Sequence, residues 1–356
     1  MGTIDPWSRR VTAVAADLQT PALGLDEARR EWLAERISLV IHSAATVSFE
    51  LGLEESRRVN VEGTRRVLDL AELASVCGGL ECFTQISTAY VAGDHRGRFG
   101  EGDLDVGQGF RNAYERSKFE AETVVRERSL PTQVLRPSIV VGDSNSGWTP
   151  AFNVIYWPLR GFAKGAYPVL PFRRSALVDV VPVDYVASAV IALAGRPGTT
   201  YHLVAGDRAS EMREVVELAS SYMEKPPPPL IPPPLYRRAL HPILVRSGSK
   251  RRRRALRRSE QFFPYFEVGT EYDNKLAREA LARRGIEAPP LRSYFDRLMD
   301  YALLAEWGRR PRPRHRTIPT PGPPRLPSER WRRRPAPTST RSRSGSRRSS
   351  RGARTA

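Results

Sequence analysis

Tyr114 and Lys118 stand four residues apart in the run YERSK, inside a stretch whose apolar spacing predicts a helix over Asn112–Ser129. Residues i and i+4 share a helix face, so a phenol and an ammonium would project side by side. A free phenol titrates at about 10, too high for acid–base work near neutrality, and a neighbouring positive charge favours its ionised form. Many helices hold a Tyr-x-x-x-Lys by accident. This one gains weight from Thr88, 26 residues earlier in ISTAYVAG, a predicted strand that ends in hydroxyls and leads into the same helix. A hydroxyl, a phenol and an ammonium in that order could hold a carbonyl oxygen and pass it a proton.

Two further signals lie upstream. Asp17–Leu18 follow a predicted strand, Val11–Ala15, and HSAATV (His42 to Val47) closes the next one, Leu39–Ser43. Ligands of open parallel sheets bind at the carboxyl ends of strands, and residues as small as Ala44 and Ala45 let a backbone approach closely. The same two alanines also suit plain tight packing, and His42 reads first as a satisfied core histidine.

The elements that must position these residues alternate in type. Strands are expected at Val11–Ala15, Leu39–Ser43, Glu81–Ser87, Thr132–Val140, Ala176–Val181 and Thr200–Val204. Helices are expected at Asp26–Arg36, Glu54–Val76, Asn112–Ser129, Pro150–Phe162 and Val183–Leu193. That alternation predicts an α/β fold, a parallel sheet covered by helices, over residues 1–205. Ser210–Glu224 reads as a helix capped by Ser210, and Lys225–Leu235 (KPPPPLIPPPL) as an extended, semi-rigid linker. Residues 206–307 form a smaller substrate-side part. The Arg/Pro/Ser-rich stretch 308–356 has too few apolar side chains to offset its ordering entropy and is expected to be disordered.

The net charge of +18 is misleading until it is located: residues 308–356 carry +15 of it, and Lys250–Arg258 hold seven more positive charges, which leaves the rest near neutral. The tail could touch polyanions without sequence preference, but no aromatic interleaving supports specific nucleic-acid binding. Two cysteines, Cys77 and Cys82, exclude a disulfide framework and a four-cysteine zinc site. No run of about 18 apolar residues predicts a membrane span, and a cytoplasmic setting is the expectation.

Seven stretches taken together resemble one family. They are AADLQTPALGL (Ala15–Leu25), VIHSAATVSF (Val40–Phe49), VNVEGTRRVL (Val59–Leu68), ISTAYVAG, YERSKFEAE (Tyr114–Glu122), LRPSIVVGDSNSG (Leu135–Gly147) and DVVPVDYVA (Asp179–Ala187). In this order they resemble the extended short-chain dehydrogenase/reductases, in the thioester-reductase and fatty acyl-coenzyme A reductase ("male sterility") branch. FPYFEVGTEYD (Phe263–Asp273) is similar to a later segment of that branch. The resemblance implies a Rossmann-type doubly wound sheet and an NADP (or NAD) cofactor. Tyr114 would be the acid–base residue, Lys118 would hold the nicotinamide ribose and lower the Tyr114 pKa, and Thr88 would bond the reacting carbonyl, with Ser87 as second choice. Asp17 and Leu18 would flank the adenine, Ala44 and Ala45 line the cofactor, Asn60 sit behind the site, and Pro137, Ser138 and Ile139 touch the nicotinamide. Asp184 reads as a helix cap.

The implied reaction is reduction of an acyl thioester to an aldehyde or alcohol. A sugar-nucleotide epimerase or hydroxysteroid-type dehydrogenase would use the same Thr/Tyr/Lys set, and an inactive remnant with a basic, polyanion-binding tail is the reading from outside enzymology. The apolar run WTPAFNVIYWPL (Trp148–Leu159) favours an acyl chain over a sugar nucleotide. The sequence departs from the family in one respect: no G-x-G-x-x-G follows a predicted strand, so the amides that bind a pyrophosphate are not found. On that reading Val11–Ala15 is the family's third strand, separated from the next by a gap of roughly 10 Å with two unpaired edges.

Overall fold

The computed structural model describes residues 10–152, 154–167, 169–173, 175–247, 253 and 269–310. Ala16–Thr317 folds as one compact unit. Outside that unit the described residues are 10–15, which carry no regular structure. The expected Phe263–Val268 segment, most of Lys250–Arg258, and the tail beyond residue 310 lie outside the described residues.

Four parallel strands make the main sheet, in the order β1 (Leu39–His42), β2 (Cys82–Ile86), β4 (Thr132–Pro137) and β8 (Thr200–Leu203). Each is reached through helical crossovers: α1 (Glu27–Ala34) precedes β1, α2 (Leu53–Asn60) and α3 (Glu62–Cys77) precede β2, and α4 (Ala113–Glu127) precedes β4. The short strand β3 (Gly97–Phe99) lies between β2 and α4 in sequence. The two faces of the sheet follow from strand alternation. Val134 packs with Phe83 against α3 and α4, whereas its neighbour Leu135 packs with Tyr201 and Leu203 against α6 (Val183–Leu193) and α9 (Lys275–Ala282). Helices therefore cover both faces, the doubly wound Rossmann-type arrangement that the sequence predicts.

Several expected elements differ, each for a physical reason. Val11–Ala15 is not a strand: no neighbouring strand pairs with it among the described residues, and an unpaired strand leaves its amides without partners. Among the described residues no strand lies beyond β1 in the main sheet, and Leu39 and Ile41 of that edge strand are 43% and 47% exposed. The long helix expected over Glu54–Val76 breaks at Val61, where the Thr64 hydroxyl donates to the Asn60 carbonyl at 2.6 Å and competes with the helix's own backbone bonds. The strand Thr132–Val140 divides at Ser138. Beyond Pro137 the chain leaves the main sheet, and β5 (Ile139–Val141) pairs instead with β7 (Val180–Pro182). Ala176–Val181 divides likewise at Asp179, between β6 (Leu177–Val178) and β7, and the Asp179 carboxylate accepts the Ala205 and Gly206 amides at 2.8 and 2.9 Å. Ser210 caps nothing: it pairs in β9 (Ser210–Glu211) with β6, and α7 (Met212–Tyr222) starts after it.

The proline-rich run stays extended to Pro232, bridged at Leu230 to Leu170, then turns helical and continues to α8 (His241–Ser247). Beyond it, β10 (Thr270–Tyr272) pairs with β3, and α10 (Phe295–Leu304) buries Phe295, Leu298, Met299 and Ala302 against α5 (Tyr156–Ala163) and Val215 of α7. The apolar run expected to line an acyl cleft thus gives Ile155, Tyr156 and Leu159 to this core, while Trp157 stays 49% exposed. No helix among the described residues is long and apolar enough to cross a membrane.

Candidate active site

Thr88 stands two residues beyond β2 in extended backbone and Tyr114 is the second residue of α4, which Asn112 caps by accepting the Glu115 amide at 2.9 Å. That cap sets where the helix begins, and so fixes where the phenol points. The fold brings the two residues close enough for Thr88 to favour the ionised Tyr114 phenol, and the Thr88 hydroxyl donates to the Pro137 carbonyl at 3.4 Å. The Phe49 ring lies 5.6 Å from the Tyr114 ring, closing one side. One turn along α4, the Lys118 amine donates to the Ile86 carbonyl at 2.8 Å.

Burial dominates the electrostatics. It pushes the Tyr114 phenol up to about 12, against the opposing hydrogen bond from Thr88 and with a small further rise from Glu115. The expected lowering by Lys118 is not met here: the ammonium is turned to the Ile86 carbonyl. Burial also pulls Lys118 down to about 8, and Glu122 works against that fall. His42 is, as expected, a core histidine. Its Nε2 lies 3.1 Å from the Thr64 hydroxyl, and burial with the Lys118 charge holds it neutral at about 4. His202, buried against Arg136, is likewise held down to about 3.

These two imidazoles carry a pH prediction. Unfolded histidine protonates at about 6.5, so the neutral folded forms favour folding above that pH, and the advantage is lost as pH falls towards 4. Each histidine should contribute a loss of about 1.4 kcal/mol per pH unit in that window. Urea midpoints measured from pH 7 to 4.5 should fall less steeply in His42→Asn than in the parent chain, and parallel curves would contradict the assignment.

The remaining sequence-chosen residues fall into three groups. Asn60, buried beneath the loop that follows β1, accepts the Thr46 amide at 2.8 Å and donates to the Thr46 carbonyl and to Ser117. It thereby holds Ala44 and Ala45 at the open end of β1, beside α4. Pro137, Ser138 and Ile139 form the junction where the chain leaves the main sheet, next to Thr88. Asp17 and Leu18 lie against α3, next to the Thr64 that meets His42. The Asp17 carboxylate binds the Gln19 amide and Thr20 hydroxyl, the Leu18 carbonyl accepts from Arg66, and the Leu18 side chain fills the space beside Gly63. Asp184 is not a cap: Pro182 precedes the helix, and the Asp184 carboxylate binds the amide and hydroxyl of Ser144.

Ser87 turns its hydroxyl to Glu122 at 2.9 Å, which leaves Thr88 as the strand-end hydroxyl that acts on Tyr114. Sequence reasoning missed the network behind it. Arg136, fully buried, binds Glu122 through Nε at 3.1 Å and a terminal nitrogen at 2.6 Å. It also meets His202 at 3.0 Å and the Asp103 carbonyl at 2.6 Å. His202 Nδ1 reaches the Asp273 carbonyl at 2.7 Å, so β2, α4, β4, β8 and the start of α9 are tied in one buried chain.

Comparison with known proteins agrees with this architecture. The terminal R domain of the myxalamid PKS-NRPS biosynthetic pathway superposes with a TM-score of 0.71 at 26% identity, over 86% of this chain and 78% of that one. Fatty acyl-CoA reductase wat of Drosophila melanogaster is 27% identical over 225 residues, 54% of this chain and 43% of that protein. Isonitrile lipopeptide synthase of Streptomyces coeruleorubidus is 34% identical over 201 residues, 55% of this chain and 13% of that protein. The chain thus spans less than half the length of either curated relative. The male sterility protein family matches residues 3–190, a span that holds Thr88, Tyr114, Lys118 and the strands behind them, and the chain belongs to that family.

Proposed function

We propose that this chain carries the catalytic half of a nicotinamide-dependent reductase of acyl thioesters, with Tyr114, Thr88 and Lys118 as its working groups. The observation that carries the reading is that Thr88, just past the carboxyl end of β2, lies close enough to Tyr114 of α4 to favour its ionised form, with the Lys118 amine one turn away. The likeness to a reductase domain and to a fatty acyl-CoA reductase supports an acyl thioester over a sugar nucleotide.

The residues present fit the nicotinamide–ribose end of such a cofactor. Lys118 has two N–H groups beyond the one given to Ile86, and Ala44, Ala45 and Pro137–Ile139 border the same strand ends. Among the described residues no strand leads through a glycine-rich turn into a helix, because Gly93, Gly97 and Gly100 lead into β3 and a loop, so no cradle of amides for the pyrophosphate is at hand. A bound nicotinamide would supply hydride to the thioester carbonyl carbon. Tyr114 and Thr88 would donate hydrogen bonds to the carbonyl oxygen as it gains negative charge, and Tyr114 would deliver the proton; the C–S bond of the resulting hemithioacetal would then break, releasing the aldehyde and the free thiol. A phenol held near 12 is protonated at neutral pH, as a proton donor must be. Lys118 would hold the ribose hydroxyls. Residues 206–307 would close the substrate side, and NADP versus NAD is left to contacts beyond these residues.

The test is aldehyde formation from a long-chain acyl-coenzyme A at millimolar NADPH. The chain should be assayed alone and fused behind a glycine-rich strand–turn–helix unit, with the aldehyde trapped and identified by mass spectrometry. Product is expected, with the fusion working at far lower cofactor concentration. Absence of aldehyde from both forms, or turnover of a sugar nucleotide instead, would overturn the reading.

A further inference from the structure

Lys118 and Glu122 are one helical turn apart on the face of α4 that meets the end of β2, and they grip consecutive residues there. Lys118 donates to the Ile86 carbonyl at 2.8 Å, and Glu122 accepts the Ser87 hydroxyl at 2.9 Å. Glu122 is fully buried, as is the Arg136 guanidinium that binds both its oxygens, and Arg126 reaches it from the surface at 2.9 Å. A carboxylate with this many donors stays ionised even where burial disfavours charge. We propose that Glu122 is the positioning residue of the Tyr114/Lys118 pair: it clamps α4 to the end of β2 and supplies the negative charge that sustains the buried Lys118 ammonium. This rests on the function proposed above.

The charges around Lys118 bear this out by direction. From β1 it faces His42, which is neutral and gives no help. On its own helix it has the Tyr114 phenol, also neutral, and Glu122. From β2 comes only a carbonyl, and from β4 comes Arg136, a cation whose guanidinium is engaged by Glu122. Burial works against ionisation of Glu122, but Arg136, Arg126 and Ser87 together hold it below the ordinary carboxylate range. Without Glu122, Lys118 would face burial without the carboxylate that opposes it, and would lose its proton near neutral pH. A neutral amine at that place would hold a ribose weakly and would leave the developing charge on oxygen uncompensated.

The chain has five lysines, so a lysine labelled with carbon-13 at Cε gives few signals, and loss of one in Lys118→Met assigns Lys118. Its titration can be followed without cofactor or substrate, so failure of the reductase assay and failure of this proposal are separate results. The Lys118 midpoint is expected near 8 in the parent chain and lower by about one pH unit or more in Glu122→Gln, with Glu122→Asp in between. Should Glu122→Gln not fold, Arg126→Gln changes only a partly exposed partner of Glu122. Removing that cation should raise the Lys118 midpoint by a few tenths of a pH unit or about that. An unmoved midpoint in folded Glu122→Gln, or in Arg126→Gln where the former does not fold, overturns the proposal.

Discussion

Tyr114→Phe should lower the rate of acyl-thioester reduction by roughly 10²–10⁴-fold while leaving the affinity for cofactor within about twofold. The phenolic proton is used only as charge develops on the carbonyl oxygen, so its loss falls on kcat and not on binding. Packing should survive, because the Tyr114 ring keeps its contact with Phe49 at 5.6 Å between centroids and only the hydroxyl is removed. Thr88 would retain its bond to the Pro137 carbonyl. Single-turnover measurement of aldehyde formation, with cofactor binding followed separately by calorimetry, distinguishes the two effects. Near-normal turnover in Tyr114→Phe would remove this residue from the mechanism, and an equal loss in cofactor binding would recast it as a binding group.

The two residues at the centre of that experiment were legible because helix geometry is local. Four residues of spacing put Tyr114 and Lys118 on one face whatever surrounds them, and the preceding strand delivered Thr88 to the same end of the sheet. The helices α4 and α6 were legible for the same reason, being long and strongly periodic. What local pattern cannot carry is the outcome of competition for partners. Val11–Ala15 has the composition of a strand but no strand to pair with among the described residues, and Thr132–Val140 reads as one strand although its last two residues, Ile139 and Val140, pair elsewhere. The Lys118 charge was assigned to Tyr114 because both lie on one helix, whereas the amine turns to a carbonyl of β2 that is 32 residues away. One signal was available and missed. Arg136 interrupts the apolar strand QVLRP, and a guanidinium at an inward-facing position of a covered sheet requires a buried anion. Glu122, one turn beyond Lys118, was the acidic residue placed to supply it.

Breaking that pair should give the largest loss of stability of any single change in the sheet. Arg136→Met removes both bonds to Glu122, the contact with His202 and the bond to the Asp103 carbonyl, and leaves a fully buried carboxylate with Ser87 and Arg126 alone. Removing one partner of a buried ion pair costs about 3–5 kcal/mol, because the remaining charge keeps its desolvation penalty and loses its compensation. Glu122→Gln in the same chain removes that stranded charge, and the amide can still accept the Ser87 hydroxyl. The double variant should therefore be more stable than Arg136→Met by at least about 1 kcal/mol, although two buried groups have been altered instead of one. The urea midpoints of the parent, the two single variants and the double variant form a closed cycle that measures the coupling. Costs that simply add would mean that Arg136 is held by packing over the Phe99 ring, 5.4 Å from its guanidinium carbon, and not by the carboxylate. A double variant close to the parent in stability would mean that the pair fixes the alignment of α4 against β2 and β4 with little net stabilisation. The end of the sheet where Thr88 and Tyr114 meet would then depend on a buried polar contact for its geometry and on the apolar core for its energy.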